Sequence, residues 1–403
     1  MSRETEGSSE SSITPGKIQY KLIEYVEDLD RYCHGGYHPL KIGDKLDDGR
    51  YQLVDKLGYG GYSTIWLARD LRRARYVAVK AVTADTSAYT PEAGLLYSLG
   101  NSPFRPGKEI IPPLIDEFLG CRLFDAKEAS TSGLFRPKVA QSITAQLIRG
   151  VAFLHSESIV HSDLHLGNIL VQFPDAIGRL STSELYKLFG EPESETVIRR
   201  DGKPLSNGVP AHVFIPGWFG VPSDDLVFGE EKIILSDFGE SFNPHKTPRF
   251  SSKTLPLLQP PEAIFSDESL SFASDIWTLA YRVTAEQVEV LGILPPEWWG
   301  KWSRRLEWFN EKGELKPETS RSHDGIRRTW DQRFGYCIQQ PRAEAGLEKI
   351  TEKEKSAFED MLRSMLTFRP EERATAQQVL HSEWMKGWGE PALAYDSRTN
   401  LNI

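Results

Sequence analysis

The chain is poor in cysteine, and it has no long apolar run. Its three cysteines, Cys33, Cys121 and Cys337, lie far apart in 403 residues. They supply neither a disulfide framework nor a CxxC metal spacing, which points to a reducing compartment. No apolar stretch reaches the ~20 residues of a membrane-spanning helix. The first 17 residues are polar and serine-rich without an apolar core, so they do not read as a signal peptide. An excess of basic charge is also missing. The formal net charge is −9, which argues against binding to a phosphate backbone. It suits an acidic soluble surface or a basic protein substrate. The expectation is a soluble monomer of the cytoplasm and/or nucleus, with no membrane partner and no direct nucleic-acid partner.

What is present suffices for a large core, since 39% of the residues are hydrophobic. Residues 1–17 read as a disordered tail, and residues 18–50 are mixed, with a glycine-containing stretch at Cys33–Tyr37. From Arg50 the pattern alternates and is rich in β-branched residues. Arg50–Leu57, Thr64–Asp70 and Tyr76–Val82 are predicted strands. Thr90-Pro91-Glu92 opens a short helix that Gly100 can end. Pro137 opens a longer one, with Val139, Ile143, Leu147, Val151 and Leu154 at helical spacing. A loop over His161–Asn168 leads into a strand at Ile169–Phe173. Residues 174–231 read as a loop-like insert, and Lys232–Ser236 resumes as a strand. Beyond it the chain is helical and Trp-rich, and Trp298–Trp308 reads first as core and second as a docking groove. Phe358–Met365 and Ala374–Trp384 are predicted closing helices.

Several short patterns carry chemistry. Gly58-Tyr59-Gly60-Gly61-Tyr62-Ser63 lies between two strands, not between a strand and a helix, which argues against a dinucleotide fingerprint. Its backbone N–H groups can cover phosphates; taken alone, it reads first as a tight hairpin with no ligand. In Val77-Ala78-Val79-Lys80, residues 78 and 80 share one strand face. Ala78 leaves room for a flat ring, and Lys80 places a point charge near phosphates. Glu92 can hold Lys80 by an ion pair, although an acid in a helix's first turn is favoured in any case. In His161-Ser162-Asp163-Leu164-His165-Leu166-Gly167-Asn168, Asp163 can accept a hydroxyl proton and Asn168 can offer Mg²⁺ an oxygen. Asp237-Phe238-Gly239 follows an apolar strand and supplies a second Mg²⁺ ligand, Asp237.

In this order the motifs resemble those of the protein kinases from about Arg50 to Trp384. Pro260-Pro261-Glu262 resembles the end of an activation segment. Asp275-Ile276-Trp277 resembles the start of the helix beneath the catalytic loop, and Arg373 stands where the family pairs a cation with Glu262. Within the family the likeness is to SR-protein kinases, particularly fungal ones, through Gly35–Asp44, Lys56–Leu67 and the placing of the insert. The resemblance implies an α+β, two-lobed protein kinase fold with a small β-rich N-lobe and a larger helical C-lobe. The expected layout is an extension over 1–50, an N-lobe over 51–125, a C-lobe over 126–388 containing insert 174–231, and a tail over 389–403. It further implies a non-specific serine/threonine protein kinase that uses ATP and Mg²⁺ on a protein substrate, with Arg/Ser-rich splicing factors as the substrate class. The implied catalytic residues are Asp163, Lys80, Glu92 and His165. Nucleotide contacts are expected from Leu57, Gly58, Tyr59, Gly60, Gly61, Tyr62, Ser63, Thr64, Ile65, Ala78, Lys80 and Leu170. Of these, Ile65, Ala78 and Leu170 match the positions that sandwich adenine. Leu96, His161 and Phe238 match a stacked apolar column.

Some positions depart from the family pattern. Ser162 replaces an Arg that normally meets an activation-loop phosphate, so no such switch is expected. His165 replaces a Lys whose charge steadies the transferring phosphate, and an imidazole is mostly uncharged at pH 7. After Leu114–Phe118 the family carries a hairpin and hinge, and after Trp277–Val283 the rest of a long helix; neither has a counterpart here. Two alternatives stay open. One is a catalytically impaired scaffold. The other is a small-molecule phosphotransferase, which shares the His-x-Asp-Leu-His-x-Gly-Asn pattern but builds no such activation segment. The insert holds ten acidic residues among 58, as either a solvated loop or a dock for a basic partner would.

Overall fold

The computed structural model describes residues 19–87, 91–113, 120–173, 175–256, 258–280, 290–314 and 329–399, together with 288 and 316. The two segments without family counterparts centre on 114–119 and 281–287, outside the described residues. So do the tail over 1–17 and the expected helix cap at Thr90. Contacts divide the chain into two compact units, Met1–Tyr89 with Arg179–Trp218, and Thr90–Gly178 with Phe219–Ile403.

The first unit is built on an antiparallel sheet of β1 (Lys45–Leu46), β2 (Tyr51–Gly60), β3 (Ser63–Asp70) and β4 (Arg75–Val82), in that order. Alternation sets its two faces. Trp66, Ala68 and Val77 pack on one side with Leu53, Leu40, Ile42 and Phe214. Ala78 and Lys80, offset by one residue, are exposed. The strands extend beyond their predicted ends, because glycine backbone pairs as well as any other. Gly58, Tyr59 and Gly60 all remain in the β2–β3 ladder.

The insert differs from the loop that its Pro/Gly-rich composition predicts. Ser181 and Glu184 form a reciprocal capping box that starts a helix over Thr182–Phe189. Ser194–Thr196 and His212–Phe214 pair as a hairpin. Leu185 is fully buried, and Tyr186 donates its hydroxyl to the Val54 carbonyl at 2.6 Å. Residues 179–218 group with the first unit, and the reason is apolar. Val197 and Val213 share a core with Tyr20, Leu29, Tyr32 and Tyr37 of the N-terminal segment. Backbone bonds tie the same two stretches, Lys21 N–H to Ile198 O at 2.8 Å and Arg200 N–H to Gln19 O at 2.9 Å.

The second unit is organised around the helix over Pro137–Ser156, whose Val139, Ala145, Val151 and Leu154 are fully buried. A three-stranded sheet runs Gly120–Arg122, Ile169–Gln172, Ile233–Leu235. The closing helices lie at Glu352–Met365 and Ala376–Leu380. A further helix over Glu390–Thr399 buries Ala392 and pairs Glu390 with Arg149. The tryptophans read first as core pack as core. Trp298 is buried with Phe265, Leu294 and Phe309, and Trp299, Trp302 and Trp308 pack against that group. Among the described residues no helix is long and apolar enough to cross a membrane.

Candidate active site

The glycine-rich hairpin belongs to the first unit. Gly60 pairs with Ser63, so only Gly61 and Tyr62 form the tip. No atom lies within 4 Å of where a Cβ would stand on Gly58, Gly60 or Gly61, and none of the three has a positive φ. Neither packing nor backbone strain therefore requires these glycines. Open space above bare backbone suits close approach of a ligand. Across the next pairing, Ile65 faces Lys80 and Leu67 faces Ala78, so Ile65, Ala78 and Lys80 neighbour one another. Thr64 is buried and accepts the Trp66 indole N–H at 2.9 Å. Leu57 is half-buried, and Tyr59 and Tyr62 are exposed.

The second unit holds the loop over His161–Asn168. Its anchor is Asp275, whose carboxylate accepts the N–H of His161 at 2.8 Å and of Ser162 at 2.9 Å, and sits 3.0 Å from His155 Nε2. Burial alone would raise the Asp275 carboxyl. The hydrogen bond and charge of His155, with help from His161 and the Ser162 N–H, outweigh it and hold the group below its ordinary value. Ser162 sits in the left-handed region at φ 70°, and Thr254 Oγ1 donates to its carbonyl at 2.5 Å. His161 is fully buried, and burial lowers its pKa. Its Nδ1 accepts the Asp163 N–H at 3.3 Å, so Nε2 carries the proton toward Ser236 O at 3.1 Å. Its ring meets Phe238 edge-on at 4.9 Å. Leu96, the third expected member of that column, packs against the same core.

Asp163 and Asn168 come together. The Asn168 amide donates to Asp163 O at 3.0 Å and to Asp163 Oδ2 at 3.2 Å. The other carboxylate oxygen, Oδ1, is buried with no hydrogen-bond partner among the described residues. A buried acceptor left open costs about 1–3 kcal/mol, and a proton donor arriving from outside the chain would satisfy it. His165 turns toward the same carboxylate. Its Nδ1 accepts the Gly167 N–H at 3.0 Å, and its Nε2 lies 3.6 Å from Asp163 Oδ2. Leu170 is half-buried in the adjoining strand, opposite Arg122 and Ile234.

Asp237, two residues beyond the Ile233–Leu235 strand, is in a left-handed conformation, φ 62° and ψ 71°. A non-glycine residue held there marks a site where surrounding structure imposes the conformation. The next residue, Phe238, donates its N–H to Glu92 Oε1 at 3.0 Å. Glu92 thus anchors the Asp-Phe-Gly turn, a role its sequence position does not reveal. Two further anchors were also hidden from sequence. Glu240 pairs with Arg249 and Lys253, both at 2.9 Å, and Thr254 locks onto Ser162.

Asn168, through the oxygen of the amide whose nitrogen is engaged, and Asp237 fit an Mg²⁺ ion. Mg²⁺ prefers one or two protein oxygens plus phosphate oxygens to an all-protein cage. Among the described residues no group of three or more His, Cys, Asp or Glu side chains could hold a metal.

A model of the protein kinase domain matches residues 104–181, which include Asp163 and Asn168. SRSF protein kinase 3 of Mus musculus is 36% identical over 224 residues, 47% of this chain and 39% of that protein. The chain thus spans about two-fifths of the length of that relative. The serine/threonine-protein kinase SRPK of Physarum polycephalum is 27% identical over 417 residues, 89% of this chain and 91% of that protein. The crystal structure of a kinase domain superposes with a TM-score of 0.55 at 18% identity, covering 87% of this chain and 98% of that one. The fold is therefore that of a protein kinase, and the sequence is similar to those of SR-protein kinases.

Proposed function

We propose that this chain is a protein kinase that transfers the γ-phosphoryl group of ATP to serine or threonine hydroxyls of protein substrates. The observation that carries the reading is Asp163, with one oxygen held by Asn168 and the other buried and open. That arrangement suits a base that receives the proton of an incoming hydroxyl as its oxygen bonds to the γ-phosphorus. The bond from that phosphorus to the β–γ bridging oxygen breaks, and ADP leaves. Mg²⁺, when bound, neutralises phosphate charge. Asn168 and Asp237 are the residues to hold it, and Lys80 is the cation to orient phosphates. Ile65 and Ala78, beside Lys80 on the sheet of the first unit, are apolar surfaces for the nucleotide.

The buried pair of Glu262 and Arg373 favours a protein kinase over a small-molecule phosphotransferase, since it fixes the end of an activation segment. The relatives' names favour Arg/Ser-rich substrates. The test is phosphate incorporation from Mg-ATP into an Arg/Ser-rich peptide and into an acidic control peptide, by wild type and by Asp163→Asn. Incorporation abolished by the substitution is expected. Activity that survives it removes Asp163 from the role. Binding of Mg-ATP without turnover points to the scaffold reading, and preference for the acidic peptide overturns the substrate class.

A further inference from the structure

Outside the expected site, the N-terminal segment makes direct contact with the glycine-rich hairpin. Its turn requires its glycines. Gly35 has φ 85°, and a Cβ on Gly36 would stand 1.8 Å from Arg31 O. The turn closes through Gly36 N–H to Cys33 O at 2.9 Å and Tyr37 N–H to Arg31 O at 3.0 Å. It brings the Arg31 guanidinium over the Tyr37 ring, 5.1 Å from its centroid.

Both side chains reach the hairpin. The hydroxyl of Tyr37, a buried residue, donates to Gly60 O at 2.7 Å. Arg31 also lies over the Tyr62 ring at 5.4 Å. Gly60 and Tyr62 flank the tip residue Gly61. In a trans peptide the carbonyl of Gly60 and the N–H of Gly61 point in opposite directions. Holding that carbonyl toward Tyr37 therefore turns the Gly61 N–H to the side away from the segment.

The segment itself is fixed at two other places. Beyond β4, Asp85 and Ala84 donate their N–H groups to Gly35 O at 2.8 Å and Gly36 O at 3.2 Å. At the root of the hairpin, buried Lys56 pairs with Glu27, which also accepts the Tyr32 hydroxyl. Lys56 Nζ donates to Phe214 O of the insert as well, at 3.0 Å. The segment is thus a bracket fixed at two places, and among the contacts of the described residues a hydrogen bond and a stacked cation hold the hairpin tip to it.

We propose that residues 27–37 are a clamp on the glycine-rich hairpin, in which Tyr37 and Arg31 are positioning residues that set nucleotide affinity by holding the tip. The proposal rests on the reading of that hairpin as a nucleotide cover. Tyr37→Phe removes only the hydroxyl. Arg31→Lys keeps the charge but loses the planar stack. Each is expected to speed hydrogen exchange at amides 61–63 of the free protein. Each is also expected to raise both the dissociation constant for Mg-ATP and the KM for ATP about three- to tenfold, the worth of one hydrogen bond. The kcat and Tm should stay close to wild type. A merely structural role would lower Tm and kcat together and leave no separate effect on KM. Unchanged exchange in both variants, or faster exchange with unchanged affinity, overturns the clamp. A wild-type protein that binds no Mg-ATP overturns the kinase reading instead, and the exchange result still reports whether Tyr37 holds the hairpin.

Discussion

Arg373 and Glu262, 111 residues apart in sequence, meet through paired N–H···O bonds of 2.8 and 2.9 Å with both side chains buried. The remaining guanidinium donors reach Ala273 O, Phe368 O and Thr367 O at 2.6–3.1 Å, and the cation stacks 4.8 Å over Trp277. All five donors of the fork are therefore used. A lysine cannot replace it, since an ammonium has three donors and no plane. Removing one partner leaves a buried charge uncompensated, which costs about 3–5 kcal/mol. Arg373→Met is expected to lower the stability by that amount in urea denaturation. Pairing it with Glu262→Leu should restore part of the loss, because the stranded carboxylate disappears. A cost below about 1 kcal/mol for Arg373→Met would show that the pair is not the lock described here.

Asp55 gives the first unit a pH dependence of defined sign. It is buried beside Lys56, and burial pushes its carboxyl up to about 6, partly offset by the Lys56 N–H it accepts at 2.7 Å. The ordinary value is 3.8. Between those two values the folded chain binds more protons than the unfolded one, so stability falls as pH rises from about 4 to about 6 and is flat above. The shift corresponds to a penalty on the order of 3 kcal/mol at neutral pH. Asp55→Asn keeps an acceptor for the Lys56 N–H and removes the charge. Thermal melts of both proteins from pH 4 to pH 8 should show the variant gaining on the wild type through this window. Parallel curves would mean that Asp55 titrates normally.

What could be read from sequence, and what could not, follows from the length of each pattern. Asp163 to Asn168 and Asp237 to Gly239 are contiguous, and their order along the chain identifies the fold before any contact is known. Glu262 and Arg373 are distant, yet each sits in a short recognisable pattern. The packing of Tyr20, Leu29, Tyr32 and Tyr37 against Val197 and Val213 has no such signal. Leu185, Leu188 and Phe189 of the insert stand at helical spacing, but proline and glycine interrupt the stretch from Val197 to Val213. Lys56 hides for another reason. A lysine is read as exposed, and only the fold brings Glu27 and Phe214 O to neutralise and satisfy it. The glycines of the hairpin could be read as a turn, but the open space above them could not.

His165 is where the sequence departs most from the chemistry its family resemblance implies, and the structure gives that departure a geometry. The Gly167 N–H donates to Nδ1, which places the imidazole proton on Nε2, facing Asp163 Oδ2 from 3.6 Å. The loop therefore holds the ring with Nε2 turned toward the base, where a lysine would bring a full charge. A Cβ on Gly167 would stand 2.9 Å from two atoms of the His165 ring, so the loop is fitted to the imidazole. A fixed positive charge acts on developing phosphate charge far more strongly than a neutral N–H in a water-poor site. His165→Lys is accordingly expected to raise kcat for peptide phosphorylation about tenfold, the equivalent of 1.4 kcal/mol. The KM for peptide should change little, because the added interaction belongs to the transition state. An unchanged or lower kcat in a steady-state assay, with Tm preserved, would show that the imidazole already supplies what this site requires.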